Sequence, residues 1–258
     1  MRAELITCRF APAAGPLRLR ELTGRDEQMV TDCNTAVAIE LLDRLAVALR
    51  AEREFRAGLL TTSDRDRLLA AVYERTFGDR VESTTRCTQC GSLFDLDFSM
   101  SALRRVLDTP LPDTAVIETD GSVKLLEVRF RLPTGDDEMA VMGLEAEEAE
   151  RLLRERCLIE GSLEQVEAAM EEVAPVLDQD LDAFCPECKA SQKVHFDVQF
   201  YLLRAIEQGR KQLLRDVHTI ASAYRWHFQE ILELPRTERQ IFVHLIDQKR
   251  GSAQMGRA

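Results

Sequence analysis

The chain has 258 residues, of which 45% are hydrophobic, enough to bury the core of one large domain or two small ones. Its formal net charge of −11 opposes general binding to phosphate backbones. No apolar run reaches the roughly 20 residues of a membrane-spanning helix, and the early Glu4 does not suit a secretory signal. We therefore predict a soluble, cytoplasmic protein.

The N-terminal part of the sequence predicts an arm followed by a helix. Residues 1–32 mix apolar and charged positions and predict an N-terminal arm with a short strand around Leu17–Leu22. The pattern fits an arm packed on the body as well as one that docks elsewhere. From Asn34 to Leu49, apolar residues recur at three- and four-residue steps, which predicts the first helix of a mixed α/β body over residues 33–200.

Further along, the body is predicted to contain a second helix and one β-hairpin. The helix begins near Ser63, a good N-cap residue, and ends at Gly78. Residues 114–132 predict a hairpin around the two-residue turn Asp120-Gly121. Its second strand alternates between apolar and charged residues over Leu125–Leu132.

Two acidic helices are predicted after the hairpin. Thr134 is expected to cap a helix that precedes them. The first acidic helix covers residues 144–158, and the second runs from a capping box at Ser162 to Pro175. The first carries closely spaced carboxylates that could act as an acid–base pair, but a solvated helix face is the ordinary interpretation and the one we adopt. These residues are Glu145, Glu147, Glu148 and Glu150.

Two Cys-x-x-Cys pairs predict a metal site. They are Cys87 with Cys90, and Cys185 with Cys188. Thiols stay reduced in the cytosol, so such pairs indicate a metal site or a catalytic site before a disulfide. Zinc takes four cysteine ligands tetrahedrally in structural sites. We predict one split, zinc-ribbon-like site in which the four cysteines hold Zn²⁺, with an alternating strand after each pair.

The spacing of the two pairs leaves one alternative open and argues against two others. Roughly 95 residues separate the pairs, but loop-closure entropy grows only logarithmically with length. Two independent structural thiol pairs remain the alternative. A thioredoxin-like redox centre is disfavoured because neither pair lies in a βαβ unit. Four thiolates leave no open coordination position, so a metal-dependent hydrolase is disfavoured as well.

The C-terminal third is predicted to be helical, over residues 201–250, with a disordered tail at 251–258. Apolar residues from Leu203 to Tyr224 follow three- and four-residue steps and predict a long amphipathic helix. A short helix ending near Leu234 and a last helix follow. Taken together, the sequence predicts an α+β fold that is predominantly α-helical.

The C-terminal sequence contains His218, Ala221, Tyr224 and Trp226 at the spacing His-x-x-Ala-x-x-Tyr-x-Trp. This segment resembles the signature of a tailed-phage baseplate protein family. That family includes hub-assembly proteins and has relatives in phage-derived contractile injection systems. The family often has Gly where this chain has Arg225. The similarity runs from about residue 60 to residue 247 and includes Glu230–Pro235, Glu238-Arg239, Asp64–Asp66, Phe77–Asp79, both Cys pairs and Arg129–Asp136.

The resemblance implies a non-enzymatic role in assembly. Such a protein would act as a chaperone or a minor structural component of a phage tail or contractile injection system. Its partners would be baseplate, hub or tape-measure proteins, and it could be incorporated into the particle. The alternative is a zinc-ribbon protein that binds nucleic acid or acts in transcription, but the acidic residues near the knuckles offset the basic ones. The candidate partner-binding residues are Leu213, Val217, Ile220, Tyr224, Trp226, Ile231 and Leu234.

Overall fold

The structure is a computed structural model that describes residues 5–11, 15–49 and 55–255. It confirms a mixed α+β architecture in which helices hold more residues than strands. The helices are α1 (Gly24–Met29), α2 (Thr35–Leu45), α3 (Thr62–Phe77), α4 (Met100–Arg104), α5 (Gly135–Val141), α6 (Ala146–Cys157), α7 (Leu163–Val173), α8 (Val198–Tyr224), α9 (Phe228–Glu233) and α10 (Arg236–Met255). The strands are β1 (Leu5–Thr7), β2 (Pro16–Leu19), β3 (Ala46–Ala48), β4 (Arg80–Arg86), β5 (Leu93–Ser99), β6 (Ala115–Ile117), β7 (Val123–Leu125), β8 (Val128–Phe130), β9 (Leu158–Glu160), β10 (Asp178–Phe184) and β11 (Ser191–Asp197).

Helix α3 forms the centre of the main core and is buried on almost every side. Buried carboxylates in its first turns accept hydrogen bonds from segments that are distant in the sequence. Asp64 accepts a hydrogen bond from the backbone N–H of Arg9 at 2.6 Å. Asp66 accepts one from the backbone N–H of Leu177 at 2.8 Å. A buried backbone N–H needs such a partner, so the Asp64–Asp66 motif joins the N-terminal segment and the entry to β10 to one helix.

The predicted N-terminal arm is built into this core. Strand β2 lies between β1 and β3 in an antiparallel sheet. Its Leu17 and Leu19 are buried among core residues. Helix α2 therefore stops at Leu45, short of the predicted Leu49, because the next residues pair with β2 as β3.

The chain repeats one order of elements. The first copy runs β1–β2–α1–α2–β3–α3–β4–β5–α4, and the second runs β7–β8–α5–α6–β9–α7–β10–β11–α8. In each copy the middle strand pairs with the strand on either side. The backbone N–H of Arg20 donates to Leu45 O at 3.0 Å, and that of Arg131 donates to Cys157 O at 2.9 Å. These shared contacts identify the second copy as a structural duplicate of the first.

Each copy contains the same Thr-Gly-x-Asp capping box after its middle strand. In the first copy, Asp26 accepts from both the N–H and the hydroxyl of Thr23 at 2.8 Å. In the second, Asp137 accepts from the same groups of Thr134 at 3.0 and 2.9 Å. An arginine at the end of the strand binds each carboxylate through two N–H groups, which adds charge-assisted bonds to the cap. The pairs are Arg20–Asp26 and Arg131–Asp137.

The residue after each box docks it onto the start of another helix. Glu27 binds Arg236 at 3.0 Å and also Arg239, both in α10. Glu138 binds Arg65 in α3 at 2.9 Å. These ion pairs attach the C-terminal helix α10 to the first copy, and they attach α3 to the second copy in the same way. An isolated β-bridge accompanies each docking: Thr23–Pro235 and Thr61–Thr134.

The hairpin predicted around Asp120-Gly121 is confirmed as the antiparallel pair β6–β7, but it forms part of a four-stranded antiparallel sheet, β6–β7–β8–β9, that the sequence did not predict. The strand expected over Leu125–Leu132 is broken at Leu126, where φ is 53° and the chain turns back from β7 into β8. The fourth strand, β9, follows α6. Thr134 caps α5 as predicted, whereas Ser162 precedes α7 without a side-chain capping bond.

The C-terminal third is helical. Helix α8 follows β11 directly, and α9 and α10 pack against its second half in a separate apolar cluster. Helix α10 continues to Met255, past the Gly251 at which the sequence predicted a disordered tail. Residues 256–258 of that tail lie outside the described residues. No helix in the described part of the chain is both long and apolar enough to span a membrane.

Candidate metal centre

Each Cys-x-x-Cys pair forms the turn of a hairpin with two seven-residue strands, β4–β5 and β10–β11. In the first turn, the Cys87 N–H donates to Ser92 O at 2.9 Å, and Cys87 O accepts from Gly91 N–H at 3.0 Å. The second turn repeats both bonds at 3.0 Å around Cys185. The residue after each pair is left-handed, with φ of 75° at Gly91 and 62° at Lys189. The two turns are therefore equivalent knuckles, one from each copy of the duplicated unit.

The two knuckles bring their four thiols together. The Cys87 and Cys188 sulfurs are 3.6 Å apart, and those of Cys90 and Cys185 are 3.7 Å apart. All four sulfurs lie within 4.8 Å of one another. Tetrahedral zinc with bonds of about 2.3 Å separates its sulfur ligands by about 3.8 Å, whereas a disulfide needs about 2.05 Å. The cluster can therefore hold a metal ion, and its spacing fits four thiolates around one centre.

Contacts between the hairpins support the cluster. Phe94 and Ala183 pack beside the two buried cysteines. The Gln192 side chain spans the gap, because its Oε1 accepts from the Thr88 N–H at 2.9 Å and its Nε2 donates to Arg86 O at 3.2 Å. Further along, the rings of Phe98 and Phe196 meet edge to face at 5.2 Å. The hairpins are thus held together by apolar and polar contacts as well as by the thiols.

The electrostatics of the cluster favour a bound cation. Hydrogen bonds from the hydroxyl and the backbone N–H of Ser92 lower the pKa of Cys90 to about 6. The backbone N–H of Ala190 also lowers the pKa of Cys188, but desolvation and the three neighbouring thiols outweigh it and raise that pKa to about 12. The neighbouring thiols therefore oppose ionisation of the fourth thiol. A bound metal ion removes this opposition because its positive charge stabilises all four thiolates.

Sequence reasoning found the four cysteines and the strands after them, but it missed β4, β10 and Gln192. Both missed strands are largely polar, as in Arg80–Arg86 and Asp178–Phe184, and carry no clean apolar alternation. The resemblance between the two knuckle segments is the sequence feature that could have predicted these strands. A strand follows each knuckle, and a ribbon hairpin needs a partner strand before it.

The structure packs most of the candidate partner-binding residues inside the protein. Four are buried between α8, α9 and α10: Leu213, Val217, Ile220 and Ile231. Tyr224 and Leu234 are half-buried beside them. Trp226 is 36% exposed, and its ring packs against Tyr224 at 5.4 Å and edge to face against Phe242 at 5.1 Å. The apolar seam thus serves intramolecular packing, and its accessible part is the aromatic corner at Trp226.

Of the basic residues near the knuckles, Lys193 and Arg86 have partners within the chain, whereas Lys189 is exposed. Lys193 pairs with Asp182 at 2.8 Å. Arg86 donates to the backbone oxygen of Gly91 at 2.7 Å. Exposed aspartates alternate along the adjacent strand β10, where they repel phosphate. These contacts give no support to the alternative of a nucleic-acid-binding zinc ribbon.

The described residues define a duplicated α+β protein whose two copies meet at a four-thiol cluster. Residues 4–166 match the family described as T4 bacteriophage base plate protein, so the chain belongs to that family. This confirms the predicted baseplate family. The matched range contains the first knuckle and ends before the second knuckle and the C-terminal signature. No curated protein and no solved structure matches the chain.

Proposed function

We propose that this chain is a non-enzymatic assembly factor or minor structural component of a phage-tail or contractile-injection-system baseplate. Its membership of the T4 base plate protein family is the observation that supports this role. It acts by protein–protein contacts at the hub or tape-measure end. It meets these partners in the cytoplasm, before or during incorporation into the particle.

The thiol cluster supports a structural zinc site within this role. Cys87, Cys90, Cys185 and Cys188 supply the four thiolates that Zn²⁺ prefers in closed sites. Such a site leaves no position for a substrate, so the ion stabilises the fold and takes part in no reaction. Because each copy contributes one knuckle, zinc joins the two copies across a loop of roughly 95 residues.

The aromatic corner is the part of the C-terminal region that fits a partner. Trp226 is 36% exposed and Phe228 is 43% exposed, and both lie where α8 turns into α9. Exposed aromatic side chains of this size are over-represented at the centres of protein interfaces. The buried residues beneath, such as Ile220 and Ile231, fix the corner in place.

Co-purification tests this proposal directly. The tagged chain is expressed with the genes of its tail cluster, and bound tail proteins are identified by mass spectrometry. We expect Trp226→Ala to lose these proteins while Phe184→Ala, which removes an exposed ring of β10, retains them. Circular dichroism establishes that both variants fold. Retention by folded Trp226→Ala would move the partner surface elsewhere, and an absence of tail proteins from the wild-type chain would refute the assembly role.

A further inference from the structure

The duplication provides an internal comparison for the surface where α5 joins α6. Three side chains there are apolar and exposed: Met139 at 38%, Met142 at 51% and Leu144 at 42%. We name these three residues the methionine surface. They follow one another closely at the end of α5, where Met142 N–H bonds to Met139 O at 3.4 Å. The exposed part of these side chains removes no apolar surface from water and so contributes nothing to folding.

The equivalent connection in the first copy, between α1 and α2, has no such surface. Val30 and Val141 are buried at matching positions, and Asn34 and Glu145 are the matching N-caps of α2 and α6. With this alignment, the positions of the methionine surface are occupied by Gln28, Thr31 and Cys33 in the first copy. The first two are polar, and the third is a small side chain that is half-buried against the main core.

Internal docking does not explain the apolar residues. Both capping boxes dock through a glutamate and a buried arginine, Glu27 with Arg239 and Glu138 with Arg65. The first capping box docks although Gln28, Thr31 and Cys33, the residues aligned with the methionine surface, include no large, exposed apolar side chain. The same fold and the same docking therefore form without an apolar surface, which indicates that the methionine surface has a use outside the chain.

An acidic rim borders this surface. Glu145, Glu147, Glu148 and Glu150 follow Leu144 directly, and all four are exposed. The described residues form no ion pair with any of them. Two of them lie in the first turn of α6, where the helix dipole favours acids, but the dipole does not account for Glu150. An apolar surface beside unpaired carboxylates is complementary to a segment that is apolar and basic.

We propose that the methionine surface binds an amphipathic helix of a partner protein, with basic residues flanking the apolar face of that helix. Methionine side chains are flexible and polarisable, and they suit the apolar face of a docked helix. The lysines or arginines of the helix then lie over Glu145 to Glu150. A second copy of this chain fits less well, because a net charge of −11 places acidic rims against each other.

A synthetic helix tests the proposal on the full chain. The probe is a fluorescent peptide of about 18 residues, long enough to be helical, with leucine on one face and lysine on the others. We expect it to bind the wild-type chain, more weakly as salt rises. Met139→Gln/Met142→Thr, which installs the first copy's residues at two of the three positions, should weaken binding at least tenfold. Leu214→Gln, which removes an exposed leucine of α8, should change it less than twofold.

Each other result overturns the proposal. Equal binding by the double variant, or no binding by the wild type, removes the site. Equal binding of a leucine–glutamate peptide removes the charge complementarity. Self-association or vesicle binding that the double variant abolishes would assign the surface to a second copy or to lipid. Trp226→Ala should bind the peptide normally, so failure here is distinguishable from failure of the proposed aromatic corner.

Discussion

Removing the metal should cost several kilocalories per mole of folding free energy. The ion would link Cys90 to Cys185 and so close a loop of about 95 residues. A cross-link around a loop of about 100 residues destabilises the unfolded chain by about 4.7 kcal/mol in the chain-entropy treatment. With an m-value of about 3 kcal/mol/M in urea, this loss moves the unfolding midpoint down by about 1.5 M.

Urea unfolding with and without a chelator measures this loss. We expect Cys90→Ser to unfold at the midpoint of the chelated wild type and to respond no further to chelator, because both lack the closed site. The matched control is Cys33→Ser, which removes a free, half-buried thiol outside the cluster. It should keep the full response to chelator, since all four ligands remain.

Two results would refute this reasoning. The first is an unchanged midpoint on chelation of protein that contained a full equivalent of zinc, because the loop would then be closed equally well by Phe94, Gln192 and the aromatic contact. The second is less than about half an equivalent of zinc in protein purified without chelator, because structural zinc is retained through folding and purification. Independent thiol pairs would then replace the shared site.

Three further changes probe contacts of the fold away from the thiol cluster. Burial raises the pKa of the Asp66 carboxyl to about 7. The contribution of this group to the free energy of unfolding is therefore complete below about pH 4 and is lost as pH rises through about 7. Asp66→Asn should remove this loss when unfolding is measured at pH 5 and pH 8, and an unchanged pH dependence would contradict the prediction. Glu27→Gln leaves Arg239 buried without its counter-charge and should lower the free energy of unfolding by about 3–5 kcal/mol. Proteolysis of α10 should also become faster. Wild-type stability with an intact α10 would contradict this prediction. Arg225 has φ of 58° at the end of α8, so Arg225→Gly should raise the thermal midpoint by relieving about 1 kcal/mol of backbone strain, and a lowered midpoint would show that the Arg225 side chain is needed.

Local signals in the sequence were sufficient for much of the fold. Thr134 caps a helix, and Gly78 ends one, as their residue types predict. The thiol cluster was predictable because four cysteines at knuckle spacing have few other uses. Such features depend on residues within a few positions of one another, and their physical cause is visible in the sequence itself.

Features that depend on distant residues were not predictable in this way. The apolar seam of α8 has the periodicity of a surface-seeking helix, and only the fold reveals that α9 and α10 cover it. The break at Leu126 is equally hidden, because the alternation of apolar residues continues across the turn. The docking of Glu27 onto Arg239 joins residues at opposite ends of the chain, where no local pattern identifies the partner.

The duplication accounts for the long separation of the two cysteine pairs. A ribbon site usually takes both knuckles from one short segment, whereas here each copy contributes one knuckle at the same place in its order of elements. The separation is therefore the length of a repeat and not an insertion into a ribbon. Because α8 begins directly after the second knuckle's strand and α10 returns to Glu27 of the first copy, the cluster and the C-terminal closure fix the two copies at two separate points. Loss of the metal should accordingly loosen the hairpins while Glu27 still holds α10, and a hydrogen-exchange increase that reached α10 as strongly as β4 and β10 would contradict this division.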